Sequence, residues 1–588
     1  MNKLLSYLSA VSIGSVWLMS ISGLPDDIFN ARYMSSIFST AVGALVTCAV
    51  FLFFRSKQNI RLSCLDIAIF IFLCCYWMNS SAWDSIYNIG YACLIMFYCA
   101  VKCTPVLQLN ILYWACLCSL SFLSVWGYLQ LCRFLPSPNP YFKVTGPFYH
   151  PTYLGLTLSA LMCIVIHVIM FHILHRKYTK GLFIMESVCL LSAIPILIYT
   201  ESRTAWFALI MSVILPYATR QIWGKYSIRK KVLVVTVATI FSSGLLIAFY
   251  TLKPISADGR LLIWKVGYGM IKDKPATGFG KGGFEANYLY YQAKYLLTEN
   301  ATEKEKYIAG NTHMAFNDFL RIGVEHGITG LVLYMAFIIT LFGISGKKTL
   351  SMYISKSVLF LIVLQGLFSY PYMIYPVMAI GVVALALLSR GIRHFRSFNL
   401  PLKYINIFIA VAIISLTFLI YRKYAAYHEL YAGMKNNGYN EFPAKLKQLF
   451  PKLKEDNIFL TYYCKIMEKA GNWEELSKSI SILEKNHPTP ALFIQKGDLL
   501  QKKSLLEEAE KAYRLAADMV PSEQKARGRL AFLYKKMGKN GEAYELANIL
   551  LTEKVKNYGF ETFKLHSKLK KEFQLKKRRF PLGQIQNQ

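Results

Sequence analysis

Charge is scarce in this chain: Asp, Glu, Lys and Arg make up 17% of its 588 residues, where an average soluble domain carries about 25%. Acid is scarcer still, with 33 Asp and Glu against 66 Lys and Arg. Hydrophobic residues reach 55%, and uncharged stretches recur through the first 420 positions, many of them long enough to cross a hydrocarbon core of about 30 Å. Such a composition excludes an ordinary soluble fold and implies a multi-pass membrane protein. No small-x-small cleavage site follows the apolar residues 1–22, and Pro25-Asp26-Asp27 leads into another apolar segment, so a retained first helix is expected rather than a signal peptide.

Cysteine is missing where a disulfide would be most useful. Of thirteen cysteines, all but Cys464 fall between Cys48 and Cys189, and the long polar interval from Lys253 to Gly327 has none. Neither Cys74-Cys75 nor Cys116-x-Cys118 has the second pair that a zinc site needs. No structural disulfide and no metal site is therefore expected. The formal charge of +33 raises the question of nucleic acid, but no basic stripe with interleaved stacking aromatics accompanies it. Much of the charge sits in short loops, where it fixes topology and meets anionic headgroups.

Apolar segments occur near residues 3–22, 34–54, 65–79, 85–101, 106–131, 151–174, 182–199, 205–219, 232–252, 328–346, 351–369, 373–389 and 402–421. Of these, 65–79, 205–219 and 373–389 are the shortest and the easiest to miscount. Alternate connections differ sharply in charge. One set holds Arg55, Lys57, Arg61, Lys102, Arg176, Lys177, Lys180, Arg229, Lys230, Lys231, Lys347, Lys348, Arg390 and Arg393 among others, whereas the opposite set, apart from the long loop and tail, has only Arg32, Arg133, Lys143 and Arg203. This asymmetry places the N-terminus in the cytoplasm and the long loop outside. An odd number of spans puts the C-terminal region outside as well.

Beyond the last apolar segment a period appears. Ala543 follows Ala509 by 34 residues and Leu476 precedes it by 33, while Ala509, Tyr513, Ala516 and Pro521 keep the 4, 3, 5 spacing of a repeat's second helix, with Gly497 in the small position of the first. Residues 457–557 resemble tetratricopeptide repeats, in which small residues let helix pairs stack. Such an array implies docking of a peptide or protein partner.

Candidate chemistry lies in four outer clusters. These are Gly146 to Gly155, including His150-Pro151-Thr152; Glu201-Ser202-Arg203; Gly259-Arg260-x-x-x-Trp264 with Pro275-x-x-Gly278-Phe279-Gly280; and Asn311-Thr312-His313-x-x-x-Asn317-x-x-x-Arg321-x-x-x-Glu325-x-Gly327. In the last, 313, 317, 321 and roughly 325 are expected on one face of a helix. Arginine's planar fork suits a phosphate better than lysine does. A neutral imidazole can take a proton from an attacking hydroxyl, with Asn317 or Glu325 orienting it. The plainer readings stay open: Arg203 at the interface, Arg260 paired with Asp258 or Glu285, and His313 as an exposed loop residue. Gly278-x-Gly280 reads as turn chemistry, because no strand precedes it.

The order of these motifs resembles the O-antigen ligase and polymerase superfamily over about residues 140–390. The resemblance implies a glycosyltransferase of the bacterial inner membrane. It would move a glycan from an undecaprenyl-diphosphate carrier to an acceptor hydroxyl in the periplasm, without metal or cofactor. By this resemblance Arg203 and Arg260 bind the diphosphate and His313 is the base, with Trp264, Asn317, Arg321 and Glu325 in support. The family's usual Asn-Pro-Asn is replaced here by His150-Pro151-Thr152. The first expectation is an O-antigen ligase whose acceptor is the lipid A core, followed by a polymerase and then a protein O-oligosaccharyltransferase. A polysaccharide transporter, a membrane scaffold, and a transferase using Asp26-Asp27 are the other readings.

The expected architecture is all-α. A polytopic bundle of about twelve or thirteen transmembrane helices spans 1–421 and carries the periplasmic loop 253–327; a linker over 422–456 leads to the soluble solenoid at 457–557 and a basic tail at 558–588.

Overall fold

The computed structural model describes residues 60–78, 86–103, 109–175, 179–222, 228–343, 349–392, 396–398, 402–436, 442–556 and 558–574. The apolar segments expected at 3–22 and 34–54, Asp26-Asp27, and the end of the basic tail lie outside the described residues. Every other expected apolar segment coincides with a helix. The chain divides into two compact units, one of residues 1–253, 276–281 and 315–456, the other of 254–275, 282–314 and 457–588.

Among the described residues the first unit opens with β1 (Ile60–Leu62). The helices α1 (Cys64–Met78), α2 (Ile86–Cys103), α3 (Leu109–Leu131), α4 (Pro151–His175), α5 (Lys180–Tyr199), α6 (Arg203–Ile222) and α7 (Ile228–Leu252) follow. After α8 (Pro254–Asp273), α9 (Gly283–Leu296) and α10 (Glu303–Ile308), which belong to the second unit, the chain returns as α11 (Asp318–Gly343), α12 (Leu350–Phe368) and α13 (Tyr375–Gly391). The strand β2 (Arg396–Phe398) pairs antiparallel with β1, Ile60 opposite Phe398.

Five helices among the described residues, α3, α4, α5, α11 and α12, are long and apolar enough to cross a membrane. The apolar stretches in α1, α2, α6 and α13 are shorter, and three of these are the segments the sequence marks as easiest to miscount. The pattern of burial agrees with a lipid solvent. On α5, Ile184, Val188, Leu191 and Ile198 are exposed while Glu186 is buried, accepting from the Tyr113 hydroxyl at 2.7 Å and facing His172 at 3.3 Å. A polar group in hydrocarbon is tolerated when such partners surround it.

α4 packs on α5, α6 and α12, and α13 packs on α2 and α12. Near the strand pair, Asp66 gathers the Tyr98 hydroxyl at 2.5 Å, Ser389 at 3.2 Å and the Lys102 ammonium. Arg390 donates to the carbonyls of Val101 and Lys102 at 3.1 and 3.2 Å, satisfying acceptors at the end of α2. α14 (Leu402–Asn436) and α15 (Phe442–Leu453) complete the unit, so the stretch expected as a linker is largely helical.

The second unit joins part of the long loop to the C-terminal helices α16 (Asn457–Lys469), α17 (Trp473–Asn486), α18 (Pro490–Lys502), α19 (Leu506–Met519), α20 (Gln524–Lys536), α21 (Asn540–Thr552) and α22 (Phe560–Glu572). From α16 to α21 each helix packs on the next. Leu476, Ala509 and Ala543, the residues in phase, are all buried, and a Cβ at Gly497 would sit 2.4 Å from the Tyr513 ring. The small residues thus mark close helix contacts, as the period implies.

Loop helices pack directly on this array. α9 lies against α17 and α19; Gln292 donates to the Met519 carbonyl at 2.7 Å, Tyr290 to that of Glu484 at 3.1 Å, and Lys556 to that of Ile308 at 3.0 Å. Within the loop, Glu305 closes a capping box with Thr302 and takes Lys265 and Tyr295, tying α8, α9 and α10 together.

Candidate functional site

The glycines of the third and fourth motifs turn out to be two halves of one device. Gly327 has φ 66° inside α11, so the helix breaks there, and the carbonyls of Val324 and Glu325 lose their usual donors. The amides of Phe279 and Gly280 replace them, each at 2.9 Å. Gly278 makes this approach possible. It also has a positive φ (68°), and a Cβ there would lie 2.5 Å from the Val324 oxygen and the Glu325 carbonyl carbon. Gly278→Val is therefore expected to remove most folded protein from the membrane, measured as the monodisperse fraction after detergent extraction; wild-type yield and melting temperature would contradict this.

Arg321 and Glu325, brought onto one face by the turn of α11, form a buried pair at 2.9 Å, and the Arg321 guanidinium stacks 3.7 Å from the Tyr372 ring centroid. Asp318 stands 4.0 Å from Arg321. Lys281, directly after the glycine turn, donates to Asn88 on α2 and lies over the Tyr91 ring at 5.3 Å. Burial pulls its ammonium down to about 8; Glu325 opposes that shift and Arg321 adds to it. Two cations, two carboxylates and two tyrosine rings thus share one region of the membrane unit.

His313 and Asn317 do not share the helical face expected of them. α11 starts at Asp318, and Asn317 is spent as its N-cap, accepting from the Leu320 amide at 3.0 Å. His313 precedes the helix and belongs to the other unit. There its ring lies 3.9 Å from that of His487, centroid to centroid, with the planes tilted by 31°. His487 Nδ1 is 2.6 Å from Glu285 Oε1, which also accepts from Asn457 at 2.9 Å. Burial would raise the Glu285 carboxyl, but the hydrogen bond and charge of His487 outweigh it and hold it below its usual range. Both ring nitrogens of His313 are buried without a hydrogen-bond partner among the described residues. Burial first, and His487 second, push its pKa down to about 4 against the pull of Glu285.

Arg203 opens α6 in the membrane unit and donates to the carbonyls of Phe249 and Lys253, the latter at 3.4 Å, at the C-terminal end of α7. Neighbouring Glu201 pairs with Lys253. Part of this arginine's donor fork is thus spent on a helix terminus. Arg260 and Trp264 lie one turn apart on α8, in the same unit as His313. Asp258, two residues before Arg260, pairs with Lys304 at 2.7 Å. His150, in the departing loop motif, rests edge-on against Phe142.

Comparison with known families bears on this set of residues. Residues 187–335 match the O-antigen ligase family model. That segment carries Arg203, Arg260, Trp264, Lys281, Glu285, His313, Asn317, Arg321 and Glu325, and it supports placement in the ligase and polymerase superfamily. No curated protein matches the chain. Three participants were not visible as such in the sequence: Lys281, Glu285 as a histidine partner, and His487. Lys281 sits in a glycine turn whose docking point is remote in sequence. His487 lies outside the family segment, and no local pattern links it to His313.

Proposed function

We propose that the chain is an inner-membrane glycosyltransferase of the O-antigen ligase type. It moves a glycan from an undecaprenyl-diphosphate carrier to an acceptor hydroxyl on the periplasmic side. The observation that carries this reading is the ligase-family segment, because it contains every residue to which the chemistry assigns a role. In the proposed step the acceptor oxygen attacks the anomeric carbon and the bond from that carbon to the diphosphate oxygen breaks. His313, neutral at physiological pH, takes the hydroxyl proton and later returns it to solvent. Arg203 and Arg260 bind the diphosphate and stabilise the charge that collects on it as it leaves, a task suited to guanidinium groups and needing no metal. Trp264, Arg321 and Glu325 support the site, and Asn317 fixes the start of α11 beyond His313.

The preferred acceptor is the lipid A core. A strain without the chain separates this from the nearest alternative, a polymerase using the same donor. Loss of all long chains from the lipid core, with lipid-linked polymer accumulating, is the expected result. Single repeats attached to the core would instead assign the polymerase role, and unchanged surface polysaccharide would contradict both.

A further inference from the structure

His487 stands more than a hundred residues beyond the family segment, on the loop closing α17 of the C-terminal array. Such arrays are ordinarily read as docking surfaces, and the sequence reading of this one is no different. Yet its side chain is the one stacked on His313, and α9, which carries Glu285, packs on the same α17. The contacts form a chain: Asn457 to Glu285 at 2.9 Å, Glu285 to His487 at 2.6 Å, and His487 to His313 ring on ring at 3.9 Å.

We propose that His487, anchored by Glu285, is a positioning residue for His313, so that the C-terminal helices complete the site rather than only recruiting a partner. This rests on the reading of His313 as the base. The adjoining ring fixes the plane of the His313 imidazole without hydrogen-bonding either of its buried nitrogens. Charge carried by the adjoining ring opposes protonation of His313, in the same direction as burial does. Glu285 is the acid facing the pair. Glu484, one turn back on α17, is engaged by Lys496 at 2.7 Å.

The test compares His487→Phe with His487→Arg in full-length protein. Phenylalanine keeps a stacked ring without a charge, whereas arginine keeps a planar cation able to pair with Glu285 and lie on an imidazole. Two readouts are taken: the acid limb of kcat/KM for glycan transfer, and the titration of His313 by NMR in histidine-labelled protein in nanodiscs, assigned with His313→Gln. In His487→Phe both should move up by at least about one pH unit, and in His487→Arg both should stay where the unaltered protein has them. If the His313 titration is the same in all three proteins, or moves equally in both variants, the inference is overturned by itself. Full transfer by His313→Ala protein would overturn the reading on which it rests, and the inference with it.

Discussion

Replacement of His313 by alanine is expected to lower glycan transfer by about 10²- to 10⁴-fold, the range for losing a positioned general base, with the protein still inserted and monodisperse. The pH dependence should be as informative as the loss. A base works when neutral, and burial beside His487 brings this imidazole down to about 4. Activity of the unaltered protein should therefore persist through pH 6 and 5 and fall only as the pH approaches 4. An ordinary histidine would begin to fail near 6.5. An acid limb near 6.5 would mean that the stacked, buried environment of His313 does not set its proton affinity.

The second large effect concerns stability. Arg321→Met leaves Glu325 buried without the partner that holds it at 2.9 Å, and breaking such a pair from one side typically costs about 3–5 kcal/mol. Replacing both members removes the stranded charge, so the Arg321→Met, Glu325→Met protein is expected to be more stable than the Arg321→Met protein. Thermal unfolding of the unaltered protein, the two single variants and the double variant in one detergent measures this as a double-mutant cycle. A double variant destabilised by the sum of the two singles would show that the two side chains contribute independently.

Much of this was legible in the sequence, and the divisions follow physical lines. The membrane helices could be read because lipid leaves so few options for the backbone; long apolar runs such as 151–174 and 351–369 became α4 and α12 with little displacement. The repeat phase of Leu476, Ala509 and Ala543 was legible because close packing demands small or apolar residues at fixed intervals. The extent of α11 was misread: spacing of 313, 317, 321 and 325 suits a helix, but Asn317 acts as the cap and starts it later. The long loop was expected as one element. It is shared between two units, since Phe279 and Gly280 serve carbonyls of α11 while α8, α9 and α10 fold with the C-terminal helices. Neither partition has a local signature, because each is decided by a surface far away in sequence. The pairing of His313 with His487 escaped for the same reason.

Reconstitution isolates the transfer step and the part His313 plays in it. Purified full-length protein in liposomes is given undecaprenyl-diphosphate-linked glycan, labelled in the sugar, and lipid A core as acceptor. Labelled core is expected with one undecaprenyl diphosphate released per glycan transferred, and His313→Ala protein is expected to label it at least about 10²-fold more slowly. Label that stays on the carrier, or transfer that proceeds equally well with the alanine variant, would contradict it.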